Sequence, residues 1–231
     1  MARPKGGGMS YSEMGEVWEE YVRARCATAV NALQKREFDA RFFPGREDTV
    51  RAVLNTIPGD APVGCGGSWT TRQIGLLDAL RERGNRVLAH EAGMDFEEAT
   101  RVRKEALLCP FYICSANAIT MRGDVMNIDG MGNRVAGISF GPGTVIIVAG
   151  YNKLVADLDA AFERIKEVAA PANAIRYAMA VPGMDQSPCV EKGRCYDCTR
   201  PSSICRITTI IRQRPMMTDF KVFLVGESLG F

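Results

Sequence analysis

From residue 63 onward, short apolar runs alternate with segments whose apolar residues recur at helical spacing, and this alternation constrains the fold more than any other feature. Strands are predicted at residues 63–65, 86–90 and 110–114, and helices at residues 71–83 and 95–108. Alternating strands and helices build a parallel sheet with helices packed on its faces. We therefore predict an α/β fold with a mostly parallel or mixed sheet flanked by helices.

The second half of the chain is richer in predicted strands. Residues 125–128, 134–140 and 144–149 each resemble a strand, which favours a mixed sheet or a small antiparallel excursion at this point. Further along, the pattern predicts a helix at 154–169, a strand or short connector at 175–180, and two last strands at 206–211 and 220–225.

The N-terminal region is predicted to be helical after a glycine-rich lead at residues 1–8. Apolar residues at helical spacing indicate a first helix that runs to about Lys35 (Trp18, Tyr21, Val22, Cys26, Val30 and Leu33), and a second helix is predicted at 47–57. No low-complexity linker interrupts the 231 residues. We therefore expect an N-terminal tail and helix at 1–34, followed by a single α/β domain at 35–231 with a cysteine-rich loop at 186–206.

Charge and hydropathy exclude several functional classes. The chain has 29 Lys and Arg against 27 Asp and Glu, so it lacks the basic excess by which proteins bind nucleic acid. No apolar run reaches the roughly 20 residues that a membrane-spanning helix needs, and the first residues contain no apolar core of a secretory signal. We therefore expect a cytoplasmic protein with reduced cysteines, no membrane span and no nucleic-acid partner.

A glycine-rich turn between a predicted strand and a predicted helix is the first candidate binding site. Gly66 and Gly67 allow close approach of the backbone to a ligand, and Ser68 and Thr70 add hydroxyl donors beside the first helical N–H groups. The turn is neither a Walker loop nor a dinucleotide fingerprint. It predicts a site for phosphate or carboxylate, and the alternative is a tight turn in which a hydroxyl caps the helix.

A second candidate segment spans residues 115–134 and follows the apolar strand that ends at Cys114. Ligands of open α/β sheets bind where the strands end, and this segment offers hydrogen-bonding groups and one planar cation: Asn117, Thr120, Asp129, Asn133 and Arg134. Plain hairpin turns are the alternative interpretation.

The third candidate is the pair Asn152 and Lys153, which follows the most apolar strand. Because a cation at the start of a helix is unfavourable to the helix dipole, the position of Lys153 before the predicted helix suggests that it serves a bound anion. A solvated lysine is the alternative.

Four of the eight cysteines, Cys189, Cys195, Cys198 and Cys205, fall within 17 residues at the spacing C-x5-C-x2-C-x6-C. Four thiolates at such spacing are typical of a zinc ion or an iron–sulfur cluster, and the alternative is four reduced thiols in a surface loop. The sequence does not distinguish zinc from iron. Cys26, Cys109 and Cys114 are predicted to pack in the core, whereas Cys65, in the glycine loop near a helix N-terminus, is the candidate for a reactive thiol. The single histidine, His90, is predicted to be structural, with an acid or base role as the alternative.

Seven motifs together resemble the lactate-utilisation (LUD) domain family, in its branch with a C-terminal four-cysteine loop. They are Gly66-Gly67-Ser68-x-Thr70 with Ile74-Gly75-Leu76, Asn117-Ala118-Ile119-Thr120, residues 124–134, Phe140-Gly141-Pro142, Gly150-x-Asn152-Lys153, Ala169-Ala170-Pro171 and residues 225–231. The resemblance implies a fold like that of ribose-phosphate isomerases and CoA transferases, in which the glycine and hydroxyl residues of the first motif hold a phosphate. It carries over no catalytic residue.

Three functions follow from these patterns and the resemblance. The first is an enzyme or binder of an anionic small metabolite (a carboxylate, phosphate or acyl ester) in lactate or related organic-acid utilisation. The second is an iron–sulfur accessory subunit that passes electrons to protein partners of an organic-acid oxidising complex. The third is a scaffold domain whose cysteine loop holds structural zinc.

Overall fold

The computed structural model describes residues 11–231, so the predicted glycine-rich lead lies outside the described residues. Its centre is a six-stranded sheet in which every neighbouring pair is parallel. In spatial order the strands are β1 (Asp39–Phe43), β10 (Asp219–Val225), β7 (Thr144–Gly150), β4 (Phe111–Cys114), β2 (Val63–Cys65) and β3 (Val87–Leu88). The predicted α/β class is therefore confirmed, although the sequence patterns did not reveal the edge strand β1.

A second, four-stranded sheet accounts for the strand-rich stretch. Its spatial order is β8 (Leu154–Val155), β5 (Ala118–Thr120), β6 (Val125–Asp129) and β9 (Ile207–Ile211). Strand β6 pairs antiparallel with both β5 and β9, whereas β5 pairs parallel with β8. The predicted antiparallel excursion is thus a separate small sheet.

Helices cover both faces of the parallel sheet, and alternation along β7 shows how. Val145 and Ile147 point into the cluster that includes the inner face of α1 (Tyr11–Gln34). Ile146 and Val148 point into the opposite cluster, which includes α2 (Arg46–Thr56) and α4 (Leu76–Glu82). A strand buried on both faces is expected to be continuously apolar, as β7 is.

The remaining helices connect these layers. They are α3 (Trp69–Gln73), α5 (Phe96–Ala106), α6 (Asn133–Ser139), α7 (Leu158–Arg164), α8 (Ala170–Ala180) and α9 (Pro188–Lys192). The single helix predicted at 71–83 is divided between α3 and α4 at Gly75, whose φ of +69° suits glycine. None of the helices in the described part of the chain is long and apolar enough to cross a membrane.

Several predicted elements differ from the structure. The strand predicted at 134–140 is instead helix α6, which ends at Ser139. Gly132 turns the chain at φ +90°, and the Asp129 carboxylate accepts hydrogen bonds from the backbone N–H groups of Arg134 and Val135. Residues 175–180 are the end of α8. Trp18 and Tyr21, predicted on the apolar face of α1, are 55% and 46% exposed.

The predicted helix at 154–169 begins later than expected, at Leu158, where Asp157 caps it by accepting from the N–H of Ala160. Lys153 therefore does not open a helix. It ends a 3-10 turn, Tyr151–Lys153, and the dipole argument that singled it out was wrong.

One π-helical turn, Ile165–Ala169, joins α7 to α8. The N–H of Ala170 donates to the carbonyl of Ile165, five residues earlier, and the carbonyl of Lys166 accepts from the N–H of Cys195 at 2.9 Å. This turn therefore connects the helix directly to the cysteine-rich loop.

Candidate functional site

A cavity of about 180 Å³ opens where the neighbouring strands β2, β4 and β7 end. Carboxyl ends of parallel strands are where open α/β sheets bind ligands. Eight of the eleven residues predicted to bind a ligand line it, drawn from all three candidate segments: Gly67, Ser68, Thr70, Asn117, Asp129, Asn133, Arg134 and Lys153.

Three predicted binding residues lie outside the lining and have partners of their own. A Cβ atom on Gly66 would stand 2.8 Å from the Tyr112 hydroxyl, so this glycine allows close packing behind the cavity. Thr120 is fully buried in the β5–β6 turn and donates to Asp124 at 2.7 Å. The side chain of Asn152 accepts from the N–H of Leu229 at 3.0 Å and so holds the segment that follows β10.

Lys153 is the most unusual side chain of the cavity, because it carries a basic amine with only 3% of its surface exposed. Its Nζ donates to Thr70 Oγ1 and to Ser115 Oγ, both at 2.8 Å. Burial, together with the nearby Arg164 and Arg134 guanidinium groups, lowers the pKa of Lys153 from 10.5 to about 7. The amine is therefore close to half neutral at pH 7.

Arg134, Asn117 and Asp129 form one polar wall. The Arg134 guanidinium donates to Asn117 Oδ1 at 3.1 Å and to the carbonyl of Ile128, while Asn117 Oδ1 also accepts from the N–H of Ile128 at 2.9 Å. The Asp129 Oδ2 atom accepts two backbone N–H groups at the start of α6. These bonds fix the orientation of the wall before any ligand arrives.

His90, Arg103, Ser115 and Arg176 also line the cavity, although they were not predicted to bind a ligand. Both His90 Nδ1 and Arg103 Nη1 are buried without a hydrogen-bond partner in the described structure. Burial and the charges of Arg103 and Arg72 lower the pKa of His90 to about 4, so the imidazole is neutral at pH 7. Helical spacing of Asn173, Arg176 and Tyr177 was the available signal on α8, but residues 175–180 were predicted as a strand or short connector.

The charge balance of the cavity is strongly positive. Arg103, Arg134, Lys153 and Arg176 line it, and none of them forms an ion pair with a carboxylate in the described residues. Asp129 is the acidic residue of the lining. Such an arrangement can hold one or more negative charges.

The cysteine-rich loop lies next to the cavity, since Ile204 lines it and Cys205 follows directly. Partial desolvation and the neighbouring Cys195, Cys189 and Cys198 together raise the pKa of Cys205 to about 11. All four predicted ligands therefore lie near one another. Among the described residues, however, no three Cys, His, Asp or Glu side chains are arranged to hold a metal ion.

Comparison with known proteins places the chain in a family. A family model described as the LUD domain matches residues 26–225. A solved structure of a DUF162 family protein from Deinococcus radiodurans is 12% identical, covers 89% of this chain and 98% of its own, and superposes with a TM-score of 0.48. No curated protein matches. Because the family match spans most of the chain, the protein belongs to the LUD domain family.

Proposed function

We propose that this protein binds a small organic anion, a carboxylate, phosphate or acyl ester, in the cavity at the ends of β2, β4 and β7, and acts in lactate or related organic-acid utilisation. One observation carries the proposal: three arginine side chains, those of Arg103, Arg134 and Arg176, line the cavity without a carboxylate partner in the described residues, beside the half-neutral Lys153. Removing cations from water is unfavourable unless an opposite charge compensates. A bound anion supplies that charge.

Arg103 and His90 support the same conclusion. Each has a buried nitrogen without a hydrogen-bond partner, and each lines the cavity. Buried polar atoms are usually paired, so an unpaired one in a cavity indicates a ligand that pairs it. The cavity volume of about 180 Å³ lies below the ~300–1,000 Å³ of sites for drug-sized ligands, which favours a small metabolite or the acyl end of a larger one.

Thermal unfolding with lactate, pyruvate, inorganic phosphate, ribose 5-phosphate and acetyl-CoA tests the proposal. An anion at 100 times its dissociation constant should stabilise the protein by about 2.7 kcal/mol, and Arg103→Gln should remove most of this gain. Arg101→Gln is the matched control, because Arg101 lies on the same helix, α5, with a side chain 64% exposed. Absence of a shift with every anion, or equal losses in the two variants, would contradict the proposal.

A second candidate function rests on the four-cysteine loop. We propose that Cys189, Cys195, Cys198 and Cys205 hold a zinc ion or an iron–sulfur cluster, since their thiols influence one another's ionisation and four thiolates suit either group. A cluster would supply electron transfer to protein partners of an organic-acid oxidising complex. Zinc would fix the loop and make the domain a scaffold.

Elemental analysis after anaerobic purification separates these outcomes. Iron with acid-labile sulfide and visible absorbance supports the redox role, whereas stoichiometric zinc supports the structural role. Cys195→Ser should abolish the stoichiometry, and Cys26→Ala, which changes a buried cysteine of α1, should leave it unchanged. Metal-free protein from anaerobic preparations would contradict both.

A further inference from the structure

We propose that Ser115 is a nucleophile and Lys153 its general base, so that the cavity accepts an acyl group from a small, negatively charged, activated acyl compound. The proposal rests on the proposed function, because the same cationic wall would bind the donor. It goes further by naming a reaction, acyl transfer through an ester on Ser115.

The topology of the parallel sheet brings the required groups together. Strand β4 lies between β2 and β7, and each of the three strands leads into one member of the group. Ser115 follows β4 directly, Thr70 lies beyond the end of β2, and Lys153 ends the turn after β7. The two distances of 2.8 Å, from Lys153 Nζ to Ser115 Oγ and to Thr70 Oγ1, are thus set by three adjacent strands.

This arrangement meets the geometric requirements for an activated nucleophile. Nucleophile and base should lie about 2.6–3.2 Å apart, with the base oriented by a third group. Ser115 and Lys153 satisfy the first condition, and Thr70 satisfies the second by accepting a hydrogen bond from the lysine. All three residues line the cavity, so a ligand can reach them.

A lysine acts as a base only in its neutral form, and the surroundings of Lys153 favour that form. The side chain is 3% exposed, and Arg134 and Arg164 disfavour a further positive charge. With a pKa of about 7, the amine is close to the value that suits a general base at neutral pH. A lysine that only held two hydroxyls in place could also pair with a carboxylate. Lys153 forms no such ion pair among the described residues.

The reaction proceeds in two balanced steps. Ser115 Oγ attacks the acyl carbon while its proton passes to Lys153 Nζ, and the leaving group departs with that proton as the new ester forms. Water, or another acceptor, then attacks the ester and gives its proton to Lys153, which returns it to Ser115 Oγ as the acyl product leaves. Arg134, on the cavity wall, would hold the negative charge of the donor.

Acetyl phosphate is a suitable probe, because it is small, anionic and activated. The whole chain is incubated with it, quenched in acid and mapped by mass spectrometry, and phosphate release is followed in parallel. We expect an acetyl ester on Ser115 that is absent from Ser115→Ala. The rate of phosphate release should fall about 100-fold or more in both Ser115→Ala and Lys153→Met, in line with the effect of a general base. Ser139→Ala changes an exposed serine at the end of α6 and should react like the wild type.

Two further measurements separate catalysis from structure. The rate should rise with pH up to about 7 and then level off, following the neutral form of Lys153. Lys153→Arg retains a cation but cannot become neutral, so it should be as slow as Lys153→Met. The mapping of wild-type protein needs no variant to fold: absence of an ester on Ser115, or an acetyl group on Lys153 in its place, overturns the proposal.

The proposed anion binding is measured separately by thermal shift on the wild type and on Ser115→Ala. If anions stabilise both proteins but Ser115 is not acetylated, the acyl-transfer inference fails and the binding function stands. If Ser115 is acetylated although no anion stabilises the protein, the inference stands and the binding function fails.

Discussion

Replacing Lys153 by methionine should change how the stability of the protein depends on pH. In the folded state the pKa of Lys153 is about 7, whereas the ordinary value in an unfolded chain is 10.5. Because each pKa unit corresponds to about 1.4 kcal/mol, this difference amounts to about 5 kcal/mol at low pH, where folding must bury the charged form. Between pH 7 and 10.5 the unfolded chain binds more protons than the folded chain, so the stability contributed at this site rises with pH.

Urea unfolding of the wild type and Lys153→Met at several pH values between 6 and 9 measures the effect. The free energy of unfolding of the wild type should gain about 2 kcal/mol relative to the variant between pH 7 and pH 9. The comparison cancels other titrating groups, since both proteins share them. A difference that stays constant across this range would show that Lys153 remains charged, and it would refute the argument from burial.

Three further outcomes follow from the structure. In a thermal unfolding assay, Gly64→Ala should destabilise the protein by about 1–3 kcal/mol or more, because the new Cβ would lie 2.2 Å from the carbonyl oxygen of Ala106. Gly59→Ala is the control: its Cβ meets nothing within 4 Å, so it should be neutral or slightly stabilising. Gly67→Ala should weaken anion binding, measured by calorimetry, because its Cβ would stand 2.7 Å from His90 Cε1 and displace that ring from the cavity. Burial lowers the pKa of His90 to about 4, so the unfolded chain binds the extra proton between pH 4 and 6.5 and stability should rise with pH there. His90→Gln should flatten that rise in acid unfolding curves.

The parallel sheet could be predicted because its strands have a local signature. Runs such as 110–114 and 144–149 are continuously apolar, and burial on both faces requires that pattern. Helix α6 could not be predicted in this way, because the Asp129 carboxylate that accepts its first N–H groups belongs to the preceding strand β6. The aliphatic residues of 134–140 suit either structure until that contact is known.

The same distinction applies to the cavity. The glycine turn and the segment after Cys114 were found because loops that follow strands of a parallel sheet converge at one edge. Lys153 was found for a wrong reason, since it follows a strand rather than opening a helix. Arg103 and Arg176 were missed, because their helices reach the cavity only through packing that no local pattern records.

The π-helical turn Ile165–Ala169 has a consequence for how the cavity can vary among related chains. A residue in an α-helix advances the direction of the side chains by about 100°, since one turn takes 3.6 residues. A π turn closes over one residue more than an α turn, so removing one residue there would restore a regular helix and leave Asn173, Arg176 and Tyr177 facing the cavity. Removing one residue from the start of α8, with the π turn retained, would instead rotate them away by about that angle. The cavity therefore tolerates a change of length at the π turn but not at the start of α8, where one deletion would remove the α8 side of the positive wall without any substitution in it.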